Sequence, residues 1–331
     1  MDDPSLRQRI ADLAKANDLR VVVELLPFLP PRTSLYSAAA ADALTANVQA
    51  ATPEEIASFD AWFRQRTCSG PARLSWDNMR VDLLEQWALE VPAVVAIATC
   101  HQSGFLREKA LIALHECHDG TELPFLLVRL NDWVGSVRFV AARAVRARLN
   151  VAYAAHWGRS LGLLERIQLG GRSDHAWLRA PVESLLRRDE SRATLEDGLT
   201  SGSLLVRRAC LRIAAGLADP TTLLRIGLRD GDPVTSGAAA EALCRRLEGD
   251  ALRDVISILL EGNARARGLA LETICVKLPS RLSRFSEPLS STQRPACESS
   301  RGSSCRRWAS APETSRPSTA TSSARRAASD S

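Results

Sequence analysis

Aromatic residues are scarce: phenylalanine, tyrosine and tryptophan make up 5% of the 331 residues, and tyrosine occurs twice. With Ala, Leu and Arg abundant, that shortage favours helix over sheet. Lysine is nearly missing, three residues (Lys15, Lys109 and Lys277) against forty arginines. We read this imbalance as the codon usage of a GC-rich gene rather than a need for guanidinium chemistry. Long apolar runs are also absent. The longest, Val91 to Cys100, is too short to span a bilayer, so no membrane partner is expected. The opening MDDPSLRQR is charged and the first apolar run, Val21 to Leu26, is short, so no secretory signal is expected. The eight cysteines form no C-x-x-C pair or even framework, which points to a reduced, cytoplasmic setting. No G-x-S-x-G elbow, Walker loop or dinucleotide-binding glycine fingerprint occurs. The sequence therefore offers no enzyme class and no cofactor.

What is present is ordinary for a soluble protein, 45% apolar and 24% charged residues. The formal charge of +5 lies in one place. Residues 279–331 carry nine arginines and four acidic residues, so 1–278 balance at 34 basic and 34 acidic.

The chain is organised around 121–149, TELPFLLVRLNDWVGSVRFVAARAVRARL, which has the pattern of two helices and a turn. Leu123, Leu126, Leu127 and Leu130 recur at helical spacing, as do Val137, Ala141, Ala144 and Val145. Asn131-Asp132-Trp133 interrupts the period, and Gly135 and Ser136 favour a restart. An apolar residue followed by a polar one, with small or apolar residues four and eight positions later, recurs at Leu106-Arg107, Val137-Arg138, Leu178-Arg179, Val206-Arg207, Val234-Thr235 and Ala266-Arg267. The intervals are 31, 41, 28, 28 and 32 residues, the signature of stacked helical units that cannot bury their apolar faces alone.

This pattern resembles the HEAT and HEAT-like (phycobilin-lyase type) repeat family, most closely at Leu123-Pro124, Leu126-Leu127, Leu130, Asp132, Val137-Arg138, Ala141-Ala142 and Leu149. The resemblance covers somewhat over half the chain and implies an all-α, right-handed α-solenoid of helical hairpins. It also implies a hydrogen-bonded ladder between neighbouring units, made by a turn acid and the arginine six positions on. Asp132 with Arg138 and Glu261 with Arg267 keep that spacing. His101, Ser173 and Ser201 replace the acid elsewhere, and Arg229 with Thr235 lacks both partners.

Residues 1–102 are expected to be helical, as degenerate repeats or an N-terminal cap on a repeat array at 103–278. Asp3-Pro4 and Asp18 start helices, the second stopping before Pro27, and a third runs from Ser34 to Ala50. Thr52-Pro53-Glu54-Glu55 is a capping box opening a helix with Ile56, Phe59, Trp62 and Phe63 on one side. A further helix spans Ser75 to Glu90, and Pro92 begins another. Around 150–175 the pattern loosens: Leu161 to Leu169 is helical and 170–174 is a flexible loop, an insertion that accounts for the 41-residue interval. Beyond it the expected pairs are 190–200 with 203–217, 219–229 with 233–247, and 250–261 with 264–278.

From residue 279 the material changes to Ser, Arg, Pro, Thr and Ala, with sixteen serines in 53 residues. Such a segment cannot offset its chain entropy by burial and is expected to be disordered. Two readings stand: a flexible basic arm for nucleic acid or acidic partners, or an out-of-frame reading of a gene that once continued the array.

Cys100, His101, His115, Cys117 and His118 suggest a metal cluster, but a helix pair 92–101 and 104–117 would separate the first two from the rest by about 20 Å at 1.5 Å per residue. No metal site is therefore assigned. Asp230-Gly231-Asp232 is too short for a calcium loop and is expected to be a turn and N-cap. Trp133 sits in an inter-helix turn, where it could pack the turn or line an aromatic ligand pocket. Arg138, Arg143, Arg146 and Arg148 share a helix without an acid, and Arg207, Arg208, Arg212, Arg245 and Arg246 recur later. The expected function is a non-catalytic scaffold binding a protein or peptide. In the resembling family second helices line the concave face, which makes Arg143, Arg146, Arg212, Glu241 and Arg245, with Trp133, the candidate contact residues. The alternative is a DNA-binding protein of the alkylpurine glycosylase type, since some HEAT-like proteins hold a duplex on a basic concave face. A phycobilin-lyase-like enzyme rests on repeat similarity alone, with no acid–base pair behind it.

Overall fold

Pro4 follows an acidic residue, fits the first turn of a helix, and opens α1 (Pro4–Ala14). The Asp18 side chain accepts the Arg20 N–H and caps a 3-10 turn leading into α2 (Val22–Leu25). The structure, a computed structural model, describes residues 4–29, 36–67, 81–169, 175–262 and 264–278. The described residues form helices and connecting turns, with no strand among them.

After α3 (Ser37–Ala50), the capping box opens α4 (Pro53–Thr67). Thr52 N–H donates to Glu55 Oε2 at 2.8 Å and Glu55 N–H to Thr52 Oγ1 at 3.2 Å. Short helices α5 (Leu84–Glu90) and α6 (Pro92–Ala98) follow, the second almost wholly buried. The expected start of a helix at Ser75 lies outside the described residues, as do the 170–174 loop and the tail from 279.

Then come helical pairs: α7 (Gly104–Leu114) after α6, α8 (Leu123–Arg129) with α9 (Gly135–Ala147), α10 (Ala154–Leu169) with α11 (Ala176–Leu186), α12 (Arg192–Leu199) with α13 (Leu204–Ala214), α14 (Thr221–Leu228) with α15 (Pro233–Arg246), and α16 (Gly249–Glu261) with α17 (Ala264–Lys277). The two members of each pair pack on each other, and neighbouring pairs pack through α7 on α9, α8 on α10, α10 on α12, α12 on α14, α13 on α15 and α15 on α17. One apolar core runs from Ile10 to Ala270.

Two features depart from the expected pattern. At the long interval α13 packs against α10, the first helix of the preceding pair, so packing there runs through α10. In addition, α4 packs on both α8 and α10, and Ser203 Oγ donates to Glu54 Oε1 at 3.4 Å across 149 residues. The N-terminal region thus lies along the later helices rather than contacting only the first of them.

The repeat register holds in four copies and slips in the fifth. Leu106, Val137, Leu178 and Val206 are buried, but Val234 is 52% exposed and Ala238 is exposed, while Thr235, Ala239 and Leu243 are buried. The cause is the helix start. Asp232 accepts the Thr235 N–H at 2.9 Å and the Thr235 hydroxyl at 2.7 Å, which holds Thr235 inward as a satisfied polar residue. Centred on Ser236, the last intervals become 29 and 31 residues.

Candidate interaction surface

The buried charges between units set the frame. Arg107 donates to both carboxylate oxygens of Asp132 at 2.8 Å, and neither side chain is exposed. Arg129 bonds Asp132 at 3.1 Å and lies 2.5 Å from Asp60 Oδ1 on α4, an ion pair off the hydrogen-bond line. Arg64 pairs with the same Asp60. Burial alone would raise the Asp132 pKa, but the Arg107 hydrogen bonds, the Val134 N–H and the Arg129 charge hold it below the ordinary carboxylate range. The same opposition acts on Arg129, where burial is the largest single effect and neighbouring groups, Asp60 foremost and Asp132 among them, together outweigh it.

The ladder is therefore built differently from the expected pairs. Arg138 does reach Asp132, but through its backbone carbonyl at 2.7 Å. Arg107 and Arg207 likewise donate to the carbonyls of His101 and Ser201, six residues earlier, at 2.9 Å. A carbonyl is supplied by any residue type, which is why His101 and Ser201 serve. The turn acid answers the arginine of the preceding pair: Asp132 to Arg107, and Asp230 to Arg207 at 2.7 Å. Arg267 donates to the Gly262 carbonyl at 2.7 Å, and Glu261 is an exposed helix-end residue. Asp230, displaced by the register slip, supplies the acid that Arg229 and Thr235 lack.

Arg148, expected on the basic surface, is buried. It donates to Glu122 Oε1 at 2.5 Å and to the carbonyls of Leu114, His115 and Cys117, and Tyr153 donates its hydroxyl to the same Glu122 oxygen at 2.7 Å. Burial, then the Glu122 carboxylate, raises the Tyr153 pKa.

The candidate contact residues Arg143, Arg146, Arg212, Glu241, Arg245 and Trp133 are exposed. Arg212 joins a surface lattice with Glu165 (2.7 Å) and Glu183 (3.3 Å), completed by Arg179 and Arg187. Glu241 and Arg245 pair with each other at 3.3 Å and border a cleft of about 620 Å³ walled by α15, α16 and α17. Arg208 meets Asp232 at 3.0 Å. Arg146 lies 4.2 Å over the Trp177 ring, and among the described residues neither it nor Arg143 has a carboxylate partner. Trp133 is 55% exposed, with the Arg64 and Arg107 guanidinium carbons 4.5 and 4.3 Å from its ring centroid, so it roofs the buried charges. A cleft of about 330 Å³ opens beside it, lined by Arg64, Arg129, Arg166 and Leu163 among others.

Against known protein families, curated proteins and solved structures, the chain finds no match.

Sequence reasoning missed the exposed apolar side chains. Of eleven such large side chains among the described residues, seven stand on second helices of pairs (α7, α9, α13, α15 and α17): Phe105 (62%), Ile112, Phe139 (67%), Leu204, Val234, Leu271 and Val276; Leu89 stands on α5, Ile258 and Leu260 on the first helix α16, and Trp133 in a turn. Each of the seven lies off the buried stripe of its own helix; for all but Val234, which the repeat pattern placed in phase, the sequence signal was present as an apolar residue out of phase. Among the described residues, no three His, Cys, Asp or Glu side chains gather as a metal site, and no helix is long and apolar enough to cross a membrane.

Proposed function

We propose that this protein is a non-catalytic scaffold, a right-handed HEAT-like α-solenoid that holds a protein or peptide partner on the face lined by its second helices. The observation that carries this reading is that seven of the eleven exposed large apolar side chains among the described residues stand on those helices, against two on first helices, beside the exposed Arg143, Arg146, Arg212, Glu241 and Arg245. Solvent-facing apolar side chains on successive helices, with charged side chains beside them, suit recognition by many small contacts on a frame that needs little ordering. The helical pairs and the rungs Arg107–Asp132 and Arg207–Asp230 support the repeat reading. A basic face for DNA is the second reading, favoured by α9, which carries three arginines and no acid.

Photo-crosslinking residues placed singly at Phe139, Arg212 and Arg245, and at the first-helix positions Glu196 and Arg225, test the proposal in extracts of the source cell with and without nuclease treatment. A discrete protein adduct from the second-helix sites alone is expected. Equal labelling from both sets, or adducts that vanish with nuclease, would overturn it.

A further inference from the structure

The seam between α7 and α9 can be laid out residue by residue. Ser136 donates its hydroxyl to Glu108 at 2.6 Å near the start of both helices. Toward the other end, Arg148 donates to the Leu114 and His115 carbonyls. The two helices therefore run parallel. At a rise of about 1.5 Å per residue, Ile112 and Phe139 fall on the same rung, roughly one turn past the Glu108–Ser136 bond. Phe105 lies two turns back along the Ile112 stripe, with Lys109 Nζ 5.8 Å over its ring.

This strip has a distinct chemistry. Its apolar members are 62%, 42% and 67% exposed for Phe105, Ile112 and Phe139. Its basic members are Lys109, Arg143 and Arg146, the last two without carboxylate partners among the described residues. Of its acids, Glu108 in the middle is engaged by Ser136, and Glu116 stands exposed one turn past Ile112, at the far end of the strip from Phe105. An apolar ridge with cations on its flanks is the complement of a helix that has an apolar stripe and acidic edges. Phosphate recognition uses the cations but leaves two phenylalanines and an isoleucine in water, which argues against a nucleic-acid backbone as occupant.

Resting on the scaffold reading above, we infer that the α7–α9 seam docks an acidic amphipathic helix of a partner protein. The partner's apolar side chains pack on Ile112 and Phe139, and its carboxylates meet Lys109, Arg143 and Arg146. Because the anchors are already solvent-facing in the free protein, docking requires no opening of the core.

The test uses the full chain and a helix-stapled peptide of about four turns with Leu at i, i+3, i+4 and i+7 and Glu on its flanks. Fluorescence anisotropy should report saturable binding that weakens with salt. It should drop about tenfold or more in Phe139→Ser and in Arg143→Glu, whose thermal melts should match the parent because both positions are exposed. Equal binding of the same peptide with Lys in place of Glu, indifference to Phe139→Ser, preference for a duplex DNA probe, or no saturable binding would each overturn the inference. Crosslinks to a protein from Arg212 or Arg245 but not from Phe139 would overturn it while leaving the scaffold reading in place.

Discussion

Arg107 and Asp132 stand 25 residues apart in the chain and meet through two hydrogen bonds of 2.8 Å, with both side chains out of solvent. The pair joins the start of α7 to the turn before α9, and Arg129 extends it to Asp60 on α4. Four alternating charges thereby clamp three segments of the chain, and each charge depends on the others to offset its lost hydration.

Removing Asp132 leaves Arg107 and Arg129 buried without it. Asp132→Ala should cost about 3–5 kcal/mol in urea unfolding. Arg138→Ala, which loses a bond to a carbonyl at a partly exposed site, should cost about 1 kcal/mol. Equal losses would mean that the rung is not the tie described.

The same pair sets an acid limit. Because the folded pKa of Asp132 is depressed, its contribution is fully present above the unfolded carboxylate pKa of about 4 and is lost as pH falls through the folded value. Asp232, lowered by hydrogen bonds from Arg208 and Thr235, acts with the same sign. Urea midpoints should fall as pH drops below about 4, and less steeply in Asp132→Asn, with the remaining slope owed to groups such as Asp232.

Close helix contact predicts a contrast between two glycines. A Cβ on Gly198 of α12 would come 2.3 Å from Cys210 Sγ on α13, whereas nothing lies within 4 Å of one on Gly202. Gly198→Ala should lower stability by about 1–3 kcal/mol through overpacking. Gly202→Ala should leave the melting temperature level or slightly raised, since it restricts only the unfolded chain.

Thiol reactivity should follow burial. Burial pushes the Cys100 and Cys210 thiols up to about 12 and that of Cys117 up to about 11, while Cys275 is exposed. Iodoacetamide followed by peptide mass spectrometry should label Cys275 well before those three in the native protein. Prompt labelling of Cys100 would contradict its burial.

Much of the helical framework was legible along the chain. The N-caps at Asp18, Thr52 and Asp232 and the buried stripe Val137, Ala141, Val145 follow from local rules that act within a few residues. The fifth copy shows the limit of that legibility. Val234 is more apolar than Thr235, yet the cap at Asp232 turns the threonine inward.

What the sequence by itself determined is where helices start, stop and carry their apolar stripes, because side-chain direction along a helix depends on near neighbours alone. Which turn faces which arginine, that Arg148 is enclosed while Arg143 is not, and that α4 lies on α8 and α10 were decided only by the tertiary structure. Those outcomes depend on which surfaces meet after the helices pack, and a guanidinium takes whatever carbonyl or carboxylate the neighbouring segment brings within reach.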